Sequence, residues 1–310
     1  MNKKTLIAVT FCLILSLAMP IRANAGGAPP ALVSADWSVN AAHNLASNPP
    51  SLDAVEDFTG RAIGESEDNP PVDVCEFRFA DLRSSGDLSL IVSVDPGRGC
   101  TELYIFDKTP TGFELYHPTA SRIVVAHNLA NSVLDINHDG RHELVLWAAL
   151  APFATGFSFG KIGCEAEWPL IFAWTGNSYS AELGDQYKDY YRNHLKSVEA
   201  RLAADAQDYP CARIEAAKTE AFLGIDSAST MSAAIRRSES DNPNDRIVAA
   251  VIFSYFGTQE AEQDLKTLGN DADSRVAGLA KETASFGEDP SPSARTTRRG
   301  VVSLVEHPIP

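Results

Sequence analysis

Residues 77–93 and 132–147 are two versions of one pattern set 54 positions apart. A repeat of this kind limits the chain to folds assembled from copies of one small unit. The first copy runs Phe77-Arg78-Phe79-Ala80-Asp81-Leu82-Arg83-Ser84-Ser85-Gly86-Asp87-Leu88-Ser89-Leu90-Ile91-Val92-Ser93, and the second runs from Ser132-Val133-Leu134-Asp135 to Trp147. Asp81 aligns with Asp135, Leu82 with Ile136, Gly86 with Gly140, and Leu90-Ile91-Val92 with Leu144-Val145-Leu146. A hairpin pattern follows each copy. Glu102–Asp107 leads through a polar turn to Phe113–Tyr116, and Trp168–Trp174 leads through Thr175-Gly176-Asn177 to Tyr179–Ala181. Alternating apolar positions bounded by Gly, Asn or Thr are strand and turn signals. Each unit therefore reads as loop, strand and hairpin, which is a small antiparallel sheet. The second carries a longer insertion, Ala149–Ala166, with Gly156, Gly160 and Gly163.

The loop of the second copy is rich in oxygen. Asp135, Asn137, Asp139 and Glu143 bear side-chain oxygens at alternate or near-alternate positions, and Gly140 permits the sharp turn between them. A hard cation such as calcium takes 6–8 oxygens at roughly 2.3–2.6 Å. Asp135, Asn137 and Asp139 would supply side-chain oxygens, Arg141 its backbone carbonyl, and Glu143 the closing carboxylate. An EF-hand is excluded, because its twelfth loop position falls on Leu146 and a strand-like run follows where a helix should. The competing reading is a plain polar turn, since Asp and Asn favour turns by bonding to nearby backbone amides. The first copy acts as an internal control. Its corresponding residues are Asp81, Arg83, Ser85 and Ser89, and a positive charge at a ligand position predicts a metal-free loop. His138 and His142 alternate with the ligand positions and should point away from a bound ion.

Asp135, Asn137, Asp139, Gly140 and Glu143, followed by Leu144-Val145-Leu146, resemble the FG-GAP (VCBS-type) repeat of β-propellers over roughly residues 76–182. The resemblance implies a calcium ion in the loop, with a structural role, and strands arranged as a propeller blade. A closed propeller takes at least about 4 blades and two units can be counted, so the expectation is a sheet capped by other elements, the alternative being a propeller whose other blades have drifted beyond recognition.

From Asp185 the pattern becomes helical. Tyr187, Tyr190, Tyr191, Leu195, Val198 and Leu202 recur at 3/4 spacing up to Pro210. Cys211–Leu223, stopped by Gly224, and Ser229–Arg236 form further helices. Asn244-Asp245-Arg246-Ile247-Val248 is echoed by Asp273-Ser274-Arg275-Val276-Ala277, 29 residues on from Arg246 to Arg275. Between them Gln259–Leu268 reads as a helix with Ala261, Leu265 and Leu268 inward. This alternation is similar to a short HEAT-type repeat, in which each unit buries its apolar face on a neighbour; an ordinary helical bundle is the alternative.

Residues 1–25 read as an export signal: Lys3 and Lys4, an apolar stretch of 14 residues from Leu6 to Met19, and the cleavage pattern Ala23-Asn24-Ala25. Removing Lys3, Lys4 and Arg22 takes the formal charge from −15 to −18. An acidic chain does not suit nucleic acid or anionic lipid, both of which need clustered Lys and Arg. No segment after the signal is long enough to insert in a membrane. Four cysteines then remain, Cys75, Cys100, Cys164 and Cys211. In an exported chain they suggest two disulfides with three possible pairings, and Cys75–Cys100 with Cys164–Cys211 is the expected one, because the first two sit in neighbouring predicted strands.

The fold class is therefore α+β. The divisions are residues 1–25 signal peptide, 26–71 an irregular lead-in with a short helix over Ala31–Ala46, 72–182 the β domain, 185–287 the helical domain and 288–310 a disordered tail in which Val301–Val305 would add an edge strand. The glycines of the insertion make no phosphate loop, Ser84 and Ser85 lack a nucleophile-elbow context, and no nucleophile–base–acid set is apparent. The expected function is an exported, non-catalytic binding or scaffold protein, periplasmic or extracellular, with calcium as a structural ion and a protein or glycan as partner. The alternative is a hydrolase acting on carbohydrate or cell-wall material between the domains, which would need paired carboxylates ~5–9 Å apart in a cleft.

Overall fold

The computed structural model describes residues 21–22, 32, 36–63, 72–97, 99–109, 112–118, 124–125, 128–150, 166–176, 179–181, 184–204, 209–225 and 228–285. The first unit is a four-stranded antiparallel meander of β1 (Asp73–Ala80), β2 (Ser89–Asp95), β3 (Glu102–Thr109) and β4 (Gly112–Tyr116). The second unit follows the same path through β5 (Val133–Leu134), β6 (Glu143–Ala149), β7 (Glu167–Trp174) and β8 (Tyr179–Ala181). Two short pairings add to the edges. Val124–Val125 lies on β6, and Ile21–Arg22, inside the expected signal, lies on β4.

The repeat extends to strand register. Phe79↔Leu90 and Ala80↔Ser89 in the first unit recur 54 positions later as Val133↔Leu144 and Leu134↔Glu143. Leu90↔Phe106 recurs as Leu144↔Phe172. In the terminal hairpin, Phe106↔Leu115, Asp107↔Glu114 and Lys108↔Phe113 recur 66 positions later as Phe172↔Ala181, Ala173↔Ser180 and Trp174↔Tyr179. The extra 12 positions enter between β6 and β7, where the predicted insertion lies; its residues 151–165 are outside the described residues. Register has a period of two, so a slip by one residue would turn every core side chain outward. Three matched pairings in sequence therefore mark two copies of one unit.

Alternation along β2 sends its side chains to different cores. Leu90, Val92 and Val94 join Val74 and Phe106 in a cluster with Leu32, Trp37, Leu45, Val55 and Phe58 from the N-terminal segment. Ile91, with Leu103 and Ile105, joins Leu144, Leu146 and Leu170 of the second unit. The first sheet is thus covered on both faces, which accounts for the unbroken apolar run in β2.

The lead-in is more ordered than its prolines suggest. A short 3-10 turn, Val39–Ala41, opens into α1 (Ala42–Ser47), and α2 (Leu52–Ile63) follows. The Ser51 hydroxyl caps α2 by accepting from the Ala54 amide at 3.3 Å. Trp37 is fully buried against Phe79 and Phe113, and Phe58 packs edge-on against Phe106 and Phe113. Leu32, Trp37 and Leu45 do share one core; Leu32 is itself helical, residues 31 and 33–35 lie outside the described residues, and α2 was not anticipated.

Among the described residues six helices follow: α3 (Lys188–Ala204), α4 (Pro210–Leu223), α5 (Ala228–Ser238), α6 (Pro243–Tyr255), α7 (Gln259–Leu268) and α8 (Ser274–Ser285). Pro210 takes the first helical position of α4, where its missing N–H costs nothing. Gly224, at φ 68°, supplies the left-handed stop. Trp168 of β7 stacks on Tyr191 of α3 and meets Phe222 of α4, and the Tyr191 hydroxyl donates to the Pro169 carbonyl at 3.0 Å. One apolar cluster then runs from the second sheet through Cys211, Ile214 and Ala217 into α6. Ile247–Phe253 are all buried, because α6 lies among α4, α5, α7 and α8. Helix α7 has the predicted bounds and turns Ala261, Leu265 and Leu268 inward.

Candidate cation loop and its counterpart

Both inter-strand loops adopt one backbone. Residues in the left-handed region occur at Ser84 (φ 52°) and Gly86 (φ 85°) in the first, and at His138 (φ 59°) and Gly140 (φ 88°) in the second. Left-handed geometry at a non-glycine residue is uncommon, so its recurrence at matched positions reflects one loop design. The loops also stack in series. The His142 amide donates to the Asp81 carbonyl at 2.9 Å, and the matched Leu88 amide donates to the Trp37 carbonyl. Trp37 therefore stands toward the first unit as Asp81 stands toward the second.

In the second loop the side-chain oxygens turn inward. Asp135 accepts from the Asp139 amide at 3.1 Å through Oδ1 and from the Gly140 amide at 3.2 Å through Oδ2. Asn137 Oδ1 accepts from the same Asp139 amide at 3.0 Å, and Asn137 Nδ2 donates to Asp139 Oδ2 at 3.2 Å. The three predicted side-chain ligands Asp135, Asn137 and Asp139 thus converge, and their donor chemistry fits a hard cation. Arg141 at present serves Asp139. Its Nε and Nη2 donate to Asp139 Oδ2 at 3.1 and 2.7 Å, which holds the Asp139 carboxyl below the usual carboxylate range. The Arg141 side chain is 47 % exposed, so its guanidinium can swing away without losing a packed position.

Glu143 is held by a partner outside the turn as well as by one within it. It is buried, its Oε2 accepts from the Ile136 amide at 2.9 Å, and its Oε1 accepts from the Tyr187 hydroxyl at 3.2 Å. Burial pushes its carboxyl up. It ties the loop to the turn that starts the helical region. Asp135, Asp139 and Glu143 accordingly form no three-carboxylate cluster, and none with His or Cys occurs among the described residues. His138 is exposed, while His142 Nδ1 is buried without a hydrogen-bond partner among the described residues.

The first loop is diverted by Arg83. Asp81 Oδ1 accepts from the Arg83 and Ser84 amides at 3.2 and 2.7 Å. The Arg83 guanidinium leaves the loop for the space between the two sheets, where it reaches Asp107 at 3.3 Å and Glu114 at 3.1 Å and lies 4.0 Å from the centroid of the Trp174 ring. Asp107 also accepts from the Ser89 hydroxyl and from the Tyr179 hydroxyl of the second unit, the latter at 3.0 Å. Sequence reasoning missed this cluster; the arginine in an otherwise small, polar turn was its only local sign.

Asp107 and Glu114 are cross-strand neighbours sharing one guanidinium nitrogen, close enough for paired-carboxylate chemistry. Their surroundings oppose it. Asp107 is 2 % exposed, and its oxygens are taken by Ser89, Tyr179 and Arg83. Burial pushes its carboxyl up. The cluster fastens one sheet to the other.

Cys75 and Cys100 form a disulfide with Cα atoms 6.0 Å apart, bridging the β1 bulge at Val74/Glu76 to the start of β3. Cys211 is also disulfide-bonded, while Cys164, its expected partner, lies outside the described residues. Among the described residues no helix is long and apolar enough to cross a membrane. Comparison with protein-family models, with curated proteins and with solved structures found no match.

Proposed function

We propose that this is an exported, non-catalytic binding or scaffold protein of FG-GAP/VCBS type, whose second inter-strand loop takes a structural calcium ion. The observation that carries the reading is the matched pair of loops. They share backbone geometry and strand register, and only the second puts three oxygen side chains inside the turn. Bound there, calcium would neutralise Asp135 and Asp139 and pin the turn between β5 and β6. Asp135 and Asn137 hold the loop amides in place, and the Arg141 side chain yields Asp139 to the ion. The disulfides accord with an oxidising compartment. The closed environment of Asp107 favours binding over hydrolysis.

The partner surface we assign to the HEAT-like hairpins α5–α6 and α7–α8. Helices α6 and α8 are in contact, as consecutive stacked repeats require. The charge of −18 after signal removal favours a basic or neutral protein, or a glycan, over nucleic acid.

The test is thermal unfolding of the protein freed of residues 1–25, in calcium and in chelator, beside Asp139→Ala. An ion bound only by the native state adds RT ln(1 + [L]/Kd), or about 2.7 kcal/mol at 100 Kd. Calcium should therefore raise the melting temperature of the wild type by several degrees and leave the variant unmoved. Identical melting of the wild type in calcium and chelator would reduce the loop to a polar turn.

A further inference from the structure

The edge of a sheet is a row of unpaired backbone donors and acceptors, and folded chains blunt it with bulges, very short strands or covering segments. Most edges of the two sheets are treated so. Strand β1 bulges at Val74/Glu76, the Cys75–Cys100 disulfide fastens it there, and Glu76 accepts the Leu129 amide at 2.8 Å. Strand β8 has only three residues, and the far side of β6 is taken by β5 and Val124–Val125. Strand β4 is different. It runs five residues, Gly112–Tyr116, in unbroken register with β3 and without proline, lysine or bulge. Its outer edge is covered by the pairing Ile21↔Leu115 and Arg22↔Glu114, and no other described residue pairs there.

Those two covering residues fall inside the segment read as an export signal, and the inference rests on that reading. Cleavage after Ala25 removes them and leaves β4 as an open edge.

The open edge has a chemical preference. Glu114 is the only charged residue of β4. Arg83 and the Tyr116 hydroxyl both donate to its Oε2, at 3.1 and 3.2 Å, and Arg83 is shared with Asp107. Its Oε1 takes no hydrogen bond among the described residues. Residues directly opposite on paired strands attract when oppositely charged and repel when alike. Two copies joined β4 to β4 about the strand's midpoint would set Glu114 against Glu114. A basic residue in that place is matched, as Arg22 is by register in the uncut chain. We propose that the β4 edge of the processed protein takes up an extended segment of a partner protein, in which an apolar residue opposite Leu115 is followed by a basic one opposite Glu114. Backbone hydrogen bonds supply the affinity of such strand addition and the side-chain pairs its selectivity. This is a second surface beside the helical hairpins, and the acidic chain attracts the same class of partner.

The probe is the chain's own segment, a synthetic peptide of residues Ala18–Ala25, added to isotope-labelled protein that begins at Gly26. Its backbone amides over Gly112–Tyr116 should shift on titration, and a peptide carrying Arg22→Glu should bind roughly fivefold more weakly or worse. A longer protein that keeps Met19–Ala25 should not respond, because its own strand holds the edge. None of these arms needs a variant of the protein to fold. Unmoved β4 amides at millimolar peptide, or equal binding of the two peptides, would overturn the proposal. Self-association of the processed protein that the peptide abolishes would give the edge to a second copy and overturn the choice of partner. Mass spectrometry of the exported protein reads the cleavage separately. An N-terminus upstream of Ile21 would sink the export reading whatever the peptide does, while a silent β4 in correctly cleaved protein would sink the docking edge alone.

Discussion

Arg83 stands where the second loop has Asn137, and that exchange redirects the chemistry of its unit. An oxygen that could face an ion is replaced by a guanidinium that leaves the turn to clamp Asp107 and Glu114 beneath Trp174. That a positive charge at this position disfavours a cation could be read from the residue itself. Its destination could not, because the partners lie 24 and 31 positions along the chain and in the other unit, and only pairing of β3 with β4 and closure of the two sheets bring them together. Removing Arg83 leaves Asp107 buried without its cation. Breaking a fully buried pair costs roughly 3–5 kcal/mol. A quarter of the Arg83 side chain remains in water, and screening there reduces the figure. Arg83→Ala should therefore cost about 2 kcal/mol in denaturant unfolding. Adding Asp107→Asn should recover part of that loss, because the buried carboxylate is then neutral and only the partly exposed Glu114 lacks its cation. Additive losses in the double variant would contradict the clamp.

Among the elements, the two loops make the sharpest comparison. Gly86 and Gly140 share a left-handed backbone, and a Cβ at either would meet nothing within 4 Å. Alanine there tests backbone strain alone, without a clash. Gly86→Ala and Gly140→Ala should each cost about 1–2 kcal/mol, and by equal amounts in chelator. Tolerance at one with loss at the other, read from unfolding midpoints, would show that the loops are not equivalent. Elements carried by local periodicity were legible in the chain. The hairpins and α7 fall at or within a residue or two of their expected bounds, and Cys75–Cys100 could be inferred because its two residues lie in neighbouring strands. Helix α2 was not legible, since the Pro49-Pro50 and Pro70-Pro71 pairs on either side suggest irregular chain. What makes Leu52–Ile63 a helix is its Ser51 cap and the burial of Val55 and Phe58 on the first sheet. The second partner of Glu143 was not legible either, because Tyr187, whose hydroxyl reaches its Oε1, lies 44 positions away.

At the scale of the whole molecule, the first sheet is closed by the N-terminal segment and the second by the start of the helical region. Trp37 takes the position toward the first loop that Asp81 takes toward the second. At the other end, Trp168, Tyr191 and Phe222 join β7 to α3 and α4. Two repeat units thus find cover without the further blades a ring would need, and the buried core runs unbroken from the second sheet into the helices. The central claim is that one loop design serves both units and that the second copy alone has kept the chemistry to hold calcium. Calorimetric titration of calcium into the wild type and into Asn137→Arg/Asp139→Ser, which gives the second loop the residues Arg83 and Ser85 of the first, tests it most directly. The account predicts one calcium per wild-type chain and none for the double variant, with the variant as stable in chelator as the wild type to within about 1 kcal/mol. Equal binding by both proteins, or none by either, would contradict it.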